Sequence, residues 1–158
     1  MPLSQMQGIV YDDVGLHLEA ASSFDRAAVP LGMYLAWCAN HQLLSETLAE
    51  HAAGLVMRVR FREITGSELA VAGCAGVLAA EHLSTEGRAF TEHYYPSYLD
   101  EFRAEFGSDP YAVEDDWDHY DRIAPRLTRA LMRFRQQADD DGAAGSGGGK
   151  PSWWKIWR

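Results

Sequence analysis

The sequence predicts a mainly α fold: a single compact bundle of about five helices with a short irregular or hairpin N-terminal lead-in. Apolar residues recur three and four positions apart over most of the first 137 residues, which is the spacing of helices that bury one face. Several of these runs follow a serine or threonine suited to a helix N-cap. The 158-residue chain is 47% hydrophobic and 11% aromatic, enough to bury a core as one domain.

Local sequence signals indicate where the predicted helices begin and end. Residues 8–25 are expected to be irregular, or to form a hairpin from residues 9–11 and 16–18. Ser45 and Ser84 are predicted N-caps, and Thr65 and Glu68 have the spacing of a capping box. The uncharged run 69–80 is too short to span a membrane and predicts a buried helix. The predicted helices are residues 27–44, 46–63, 69–80, 85–106 with an interruption at Pro96, and 114–136.

The last of these helices has the most regular pattern. Its apolar residues form one continuous stripe, and four arginines fall on the opposite side. The stripe consists of Trp117, Tyr120, Ala124, Leu127, Leu131 and Phe134, and the arginines are Arg122, Arg126, Arg129 and Arg133. Pro125 is expected to kink this helix or to mark a restart, because it removes one backbone hydrogen bond.

Charge and glycine content divide the chain into three parts. Residues 1–137 are predicted to be the helical globular domain, 138–149 an acidic, Gly-rich flexible linker, and 150–158 a cationic Trp-rich tail. Residues 1–138 contain 20 acidic residues, 11 arginines and no lysine. This negative charge repels phosphate backbones, so nucleic acid is not an expected partner.

Two features predict the compartment. Cys38 and Cys74 stand apart in apolar runs, which is typical of buried reduced thiols in a cytosolic protein. The N-terminal residues show no cationic start followed by an apolar run, so no secretory signal is visible. A cytoplasmic location is therefore expected, with peripheral contact at the inner membrane face as an alternative.

The tail concentrates three of the five tryptophans of the chain beside basic residues, and this composition predicts that it binds something. Three targets are reasonable: a membrane interface, a groove on a partner protein, and the acidic body itself, in the same chain or a neighbouring copy. The predicted contact residues are Trp153, Trp154, Lys155, Ile156, Trp157 and Arg158.

An acidic segment at residues 109–121 holds six acids and no basic residue other than His119. Acids are favoured at a helix N-terminus by the helix dipole, which accounts for much of this pattern. The alternative is a recognition surface for a basic protein partner. The candidate partner-binding residues are Asp115, Asp116, Asp118 and Asp121.

Catalytic signals are weak. Asp116 and His119 have the i, i+3 spacing found in helical di-metal sites, and they are the weak metal candidates. No nucleophile elbow, phosphate-binding loop or HExxH motif is present. No cofactor is expected, and a metal-dependent enzyme is kept as an alternative.

Between residues 11 and 134 the chain resembles an uncharacterised bacterial family classified as a domain of unknown function. The matching tracts are Tyr11-Asp12-Asp13 with His17, and residues 31–37, 62–69, 83–90 and 113–121. The resemblance implies a small helical cytosolic protein, often with a Trp-rich basic tail, and brings no established activity. Members often carry a histidine where this chain has residues 26–30.

These observations favour a non-enzymatic protein-binding module. Small acidic domains of this kind are often immunity proteins that neutralise toxins, so an immunity-type or adaptor protein meeting a basic partner is the first hypothesis. A peripheral membrane protein anchored by its tail is the second. A metal-dependent enzyme is the third.

Overall fold

The computed structural model describes residues 8–144 and confirms a mainly helical fold. Five of the described helices have eight or more residues, in agreement with the predicted number. The helices are α1 (Leu18–Ala21), α2 (Phe24–Asn40), α3 (Glu46–His51), α4 (Ala53–Arg60), α5 (Gly66–Glu68), α6 (Thr85–Tyr94), α7 (Tyr98–Phe106) and α8 (Trp117–Ala144). The strands are β1 (Val10–Asp13) and β2 (Val77–Ala79). None of the helices between residues 8 and 144 is both long and apolar enough to cross a membrane.

Helix α2 runs through the centre of the molecule, and residues 27–39 are buried without interruption. This uncharged segment is covered on all sides by the other elements, which is why it is apolar around its whole circumference. The Ser23 hydroxyl accepts a hydrogen bond from the amide of Arg26 and caps the helix. The helix begins at Phe24, three residues before its predicted start. Pro30 consequently lies beyond the first turn, and its carbonyl oxygen accepts a hydrogen bond from the Tyr98 hydroxyl at 2.6 Å.

The N-terminal hairpin is not formed, because β1 pairs in antiparallel register with the distant strand β2, Val10 opposite Ala79 and Asp13 opposite Val77. The prediction of a buried helix over residues 69–80 is also wrong. A single π-turn follows α5, and the chain then reverses at Ala75 and Gly76, both of which have positive φ. Glycine adopts this conformation without steric cost. The reversal brings β2 back beside β1.

Two glycines set the distance between α2 and α5. A side chain at Gly32 would place its Cβ 2.6 Å from the Cα of Ser67, and one at Gly66 would overlap the Gly32 carbonyl. The backbones therefore touch at this crossing, and the Ser67 hydroxyl donates to the Ala28 carbonyl oxygen at 3.3 Å. This contact fixes residues 65–68 against the first half of α2.

Helix α8 carries the predicted apolar stripe. Tyr120, Leu127 and Leu131 are buried, and the other members of the stripe pack against the core. Pro125 lies inside one continuous helix, so the predicted restart does not occur.

The arginine face of α8 is turned partly toward α7. Arg126 Nη1 lies 2.9 Å from a carboxylate oxygen of Glu101, and Arg122 Nη2 lies 3.4 Å from one of Glu105. These partly exposed pairs connect the two helices, and each contributes little to stability.

Helix α8 also extends further than the sequence predicted. Residues 138–144, predicted as the beginning of the linker, continue the helix, and the Gln136 side chain donates to Asp140 one turn later at 3.2 Å. Alanines and acids in this segment are compatible with a helix, whereas glycine becomes frequent only from Gly145 onward. The remaining linker and the tail lie outside the described residues.

A partly buried glutamate–arginine pair joins α6 to α8. Glu86 is 6% exposed, and its Oε1 lies 3.1 Å from Arg135 Nη2. Burial raises the pKa of Glu86 to about 7, and the favourable charge of Arg135 offsets only part of that effect. Glu86 therefore binds a proton in the folded protein at pH values where it is ionised in the unfolded chain.

The stability of the fold is accordingly expected to decrease as the pH rises from about 4.5 to about 7, because over this range the folded state holds a proton that the unfolded state has released. Thermal unfolding of the wild type and of Glu86→Gln, followed from about pH 5 to about pH 8, tests this. The wild type should lose stability relative to the variant as the pH rises. Glu50→Gln, at an exposed position on α3, is the matched control. Parallel profiles for wild type and Glu86→Gln would contradict the assignment.

Candidate binding groove

A groove of about 830 Å³ opens on the surface between the start of α2, the α5 segment and the chain that leads into α8. Its lining is mixed, with an apolar base and several charged residues. The lining residues are Phe24, Asp25, Arg26, Ala28, Val29, Leu55, Thr65, Ser67, Glu68, Val71, Ala72, Tyr111, Ala112, Val113, Glu114 and Asp115. The close crossing of Gly32 and Gly66 positions two of the three walls.

The apolar part of the groove is accessible. Phe24 is 44% exposed and Val71 is 41% exposed, although both are large hydrophobic residues. Leu55 and Val113 are partly buried and pack on the core beneath them. Apolar side chains gathered in a concave surface are typical of ligand and protein-binding sites.

The charged residues that line the groove are mostly acidic. Four carboxylates, those of Asp25, Glu68, Glu114 and Asp115, line it together with a single arginine, Arg26. A concave surface with low-dielectric walls concentrates the field of such groups. The groove therefore favours cationic groups over anionic ones.

Among these acids, Asp115 is held by a neighbouring hydroxyl group. Its Oδ2 accepts a hydrogen bond from the Thr65 hydroxyl at 2.8 Å. Asp115 is exposed at the surface, and the atoms crowded around its carboxylate raise its pKa by partial desolvation, while the hydroxyls of Thr65 and Ser67 act in the opposite direction. Thr65 was predicted to cap α5, but its side chain makes no capping hydrogen bond there and holds Asp115 instead.

The predicted acidic surface is divided between two roles. Asp115 lines the groove, whereas Asp121 forms a two-pronged contact with Arg62, with oxygen–nitrogen distances of 2.6 and 2.9 Å. This hydrogen-bonded guanidinium lowers the pKa of Asp121. Arg62 also lies over the Trp117 ring at 4.8 Å. Asp118 is exposed and lies outside the groove lining.

Asp116 and His119, the weak metal candidates, are joined to each other. An Asp116 oxygen lies 2.7 Å from His119 Nδ1 and accepts a hydrogen bond from the His119 amide at 2.8 Å. These hydrogen bonds lower the pKa of Asp116 and fix the first turn of α8. Within residues 8–144, no group of three or more metal-ligating side chains is present. The predicted contact residues of the tail, Trp153 to Arg158, lie outside the described part of the chain.

A second polar cluster, which the sequence did not predict, lies behind one wall of the groove. Asp12 accepts hydrogen bonds from His17 Nε2 at 2.6 Å and from the Tyr95 hydroxyl at 2.5 Å. The other nitrogen of His17 lies 2.6 Å from the Tyr111 hydroxyl. Burial raises the pKa of Tyr95 well above its ordinary value, and the Asp12 charge adds to this effect. The cluster joins β1 to the turns that carry Tyr95 and Tyr111, and Tyr111 also lines the groove.

Neither cysteine contributes to a surface site. Cys38 and Cys74 are both free and buried. Burial raises the pKa of each thiol, that of Cys74 to about 12. Both thiols remain protonated at neutral pH and are therefore poor nucleophiles.

The fold and the groove define a small, mainly helical protein with an acidic, partly apolar concave surface. Residues 10–115 match a family model described as a domain of unknown function, DUF7832, and the chain belongs to this family. The predicted resemblance to a domain-of-unknown-function family is thereby confirmed. The match includes every residue that lines the groove and the whole Asp12 cluster. No curated protein and no solved structure matches the chain.

Proposed function

We propose that the protein is a non-enzymatic protein-binding module whose groove receives a segment of a partner protein that carries both apolar and basic side chains. The observation that carries the proposal is the combination of an apolar base with four carboxylates and one arginine in a single groove of about 830 Å³. Each half of this combination selects a different property of the ligand.

The apolar base supplies affinity. Accessible Phe24 and Val71 are positioned to contact one or two large side chains, whose burial would remove apolar surface of both partners from water. The volume lies within the range of known ligand sites, so it suits anchor residues of a peptide rather than a whole domain surface. Aromatic side chains are the commonest anchors in such interfaces.

The carboxylates supply selectivity. Lysine or arginine at the rim gains charge-assisted hydrogen bonds with groups such as Asp115, which Thr65 already holds in place. An acidic segment would meet like charges, which oppose association. The negative charge of the whole chain, −9, extends this preference to the approach of the partner.

This chemistry suits an adaptor or an immunity-type protein that acts in the cytoplasm on a partner with a basic surface. The two free, buried cysteines are in keeping with a reducing compartment. The partner is defined here by its chemistry: a basic segment with apolar anchors.

Peptide binding to the full chain, measured by fluorescence anisotropy, tests the proposal. Three peptides are compared: one with tryptophans and lysines, one in which glutamates replace the lysines, and one in which serines replace the tryptophans. Only the first is expected to bind well, because it satisfies both parts of the groove. The Asp115→Asn/Glu68→Gln variant should bind it about 3- to 10-fold more weakly, as expected for the loss of two partly exposed charge contacts.

The matched control is Asp118→Asn, which removes one negative charge outside the groove and should leave affinity nearly unchanged. Equal binding of the lysine and glutamate peptides would overturn the proposal. An equal loss of affinity in Asp118→Asn and in the groove variant would also overturn it, because general charge would then explain the effect.

A further inference from the structure

We infer that the occupant of the groove is the C-terminal tail, residues 150–158, of a second copy of this chain. The inference rests on the proposed function, because it names the ligand of the same groove. It follows from three observations: the composition of the tail, the charge of the groove, and the position of helix α8.

The tail has both properties that the groove selects. It contains Lys150, Lys155 and Arg158, and no acidic side chain. It also contains three tryptophans and one isoleucine within nine residues. The same combination of clustered tryptophan and lysine occurs nowhere else in the sequence, since residues 1–149 have no lysine and only two tryptophans, Trp37 and Trp117.

The geometry of α8 separates the tail of each copy from its own groove. The helix begins at Trp117, two residues after Asp115 of the groove rim, and ends at Ala144. Its 28 residues place Ala144 roughly 40 Å from its first turn at a rise of about 1.5 Å per residue. The helix therefore carries the start of the tail segment away from Asp115.

The chain after α8 returns to its own groove only when it is almost fully extended. Nine residue steps separate Ala144 from Trp153, and a fully extended chain covers at most about 32 Å over that number. The Cα atoms of Trp153 and Trp154 therefore fall short of the Asp115 rim of their own chain, and Trp157, thirteen steps from Ala144 and at most about 47 Å away, reaches it only if the intervening chain is almost fully extended. The groove of a second copy carries no such restriction, and mutual exchange of two tails would form a closed dimer.

In the exchanged dimer, apolar and basic side chains of each tail would contact apolar and acidic side chains of the partner's groove. Tryptophan rings of the tail would cover Phe24 and Val71, while lysine and arginine approach Glu68 and Asp115. Two such contacts in one dimer act together, because the second forms within an already associated pair and benefits from a high effective concentration. The dimer is therefore expected to be more stable than one tail–groove contact alone.

Sedimentation velocity of the full chain over a range of concentrations tests the inference. The wild type should change from monomer to dimer as concentration rises. Trp153→Ala/Trp154→Ala/Trp157→Ala in the full chain should weaken the association at least 10-fold, as expected for the loss of aromatic anchors. The groove variant Asp115→Asn/Glu68→Gln should also weaken it, and Asp118→Asn should not.

A mixing experiment makes the test specific. The triple tryptophan variant retains an intact groove, and the groove variant retains an intact tail, so an equimolar mixture should form one fully intact tail–groove contact that neither variant can form with itself. This mixed species should appear as a heterodimer when the two proteins carry different fluorescent labels. A mixture that stays as monomeric as the separate variants would overturn the inference.

Other outcomes identify other occupants. If the wild type stays monomeric and its tryptophan emission is shifted to the same extent at every protein concentration, the tail binds its own chain. That result would overturn the inference. Tail-dependent pelleting of monomeric protein with phosphatidylglycerol vesicles would make the tail a membrane anchor and overturn it as well.

A synthetic peptide of residues 149–158 separates this inference from the proposed function. Binding of this peptide to the groove, with the same loss in Asp115→Asn/Glu68→Gln, supports both. If the lysine–tryptophan peptide binds the groove and the tail peptide does not, the inference fails and the proposed function stands. If neither binds, both fail.

Discussion

Gly66→Ala is expected to unfold the protein or to destabilise it by more than about 3 kcal/mol. A Cβ at this position would overlap the carbonyl group of Gly32 and lie 2.9 Å from the Cβ of Ala36. Overpacking of a core typically costs about 1–3 kcal/mol, and it costs more where the clash involves backbone that cannot rotate away. A domain of this size is stable by only about 5–15 kcal/mol, so the loss is a large fraction of the total.

Urea denaturation followed by circular dichroism at neutral pH measures this effect. Gly54→Ala is the matched control, because Gly54 is exposed in α4 and a Cβ there meets nothing within 4 Å. The control should be neutral or more stable by up to about 1 kcal/mol, since alanine favours a helix over glycine. Similar stability of the two variants would show that α2 and α5 do not approach each other as closely as described.

The same substitution also connects the fold to the groove. Thr65 and Ser67 flank Gly66, and both side chains contact groove elements: Thr65 holds Asp115, and Ser67 bonds the start of α2. A partly folded Gly66→Ala variant should therefore lose peptide binding before it loses its helical content. The glycine acts on the groove through the position of the backbone alone.

Helix ends and the last helix were predictable because their signals are local. The Ser45 hydroxyl accepts from the Leu48 amide at 3.1 Å, and the Ser84 hydroxyl accepts from the Gly87 amide at 3.0 Å, as the sequence indicated. The apolar stripe of α8 could be read because a repeat of three and four residues specifies one buried face. A helix break within the predicted 46–63 segment, between α3 and α4, carried no such signal.

Strand β2 could not be predicted for a physical reason. Residues 69–80 are apolar, and a short apolar run is compatible with either a buried helix or a buried strand. The strand is formed because the segment pairs with β1, which lies more than 60 residues earlier in the chain and contributes Val10 and Asp13 as pairing partners. A contact over such a separation leaves no periodic trace in the sequence.

The candidate site was predictable only in part. Asp115 was identified because it belongs to a visible run of acids, and it does line the groove. Asp25 and Glu68 come from separate elements, and only folding brings them beside it. Asp121 was predicted as a contact residue, but Arg62 holds it in a paired contact that the sequence spacing did not indicate.

Asp12→Ala is the substitution with the second largest expected effect, a loss of about 3 kcal/mol. Asp12 is 9% exposed and accepts hydrogen bonds from His17, Tyr95 and the amide of Asp13. Its removal leaves donors in a poorly hydrated space without an acceptor, and each unpaired donor costs about 1–3 kcal/mol. Asp13→Ala is the adjacent control, because Asp13 accepts from the exposed amide of Gly15 and should cost about 1 kcal/mol.

Denaturation of Asp12→Ala, Tyr95→Phe and the double variant distinguishes a shared network from separate contacts. In a network, the Tyr95 hydroxyl is costly only while it is buried without an acceptor, so Tyr95→Phe should partly restore the stability lost in Asp12→Ala. Strict additivity of the two losses would contradict that account.

Because the chain Asp12–His17–Tyr111 ends at a residue that lines the groove, Asp12→Ala should also weaken peptide binding although it removes no groove carboxylate. The Asp12 carboxylate, which connects β1 to the neighbouring turns by hydrogen bonds, therefore also stabilises the position of one groove wall.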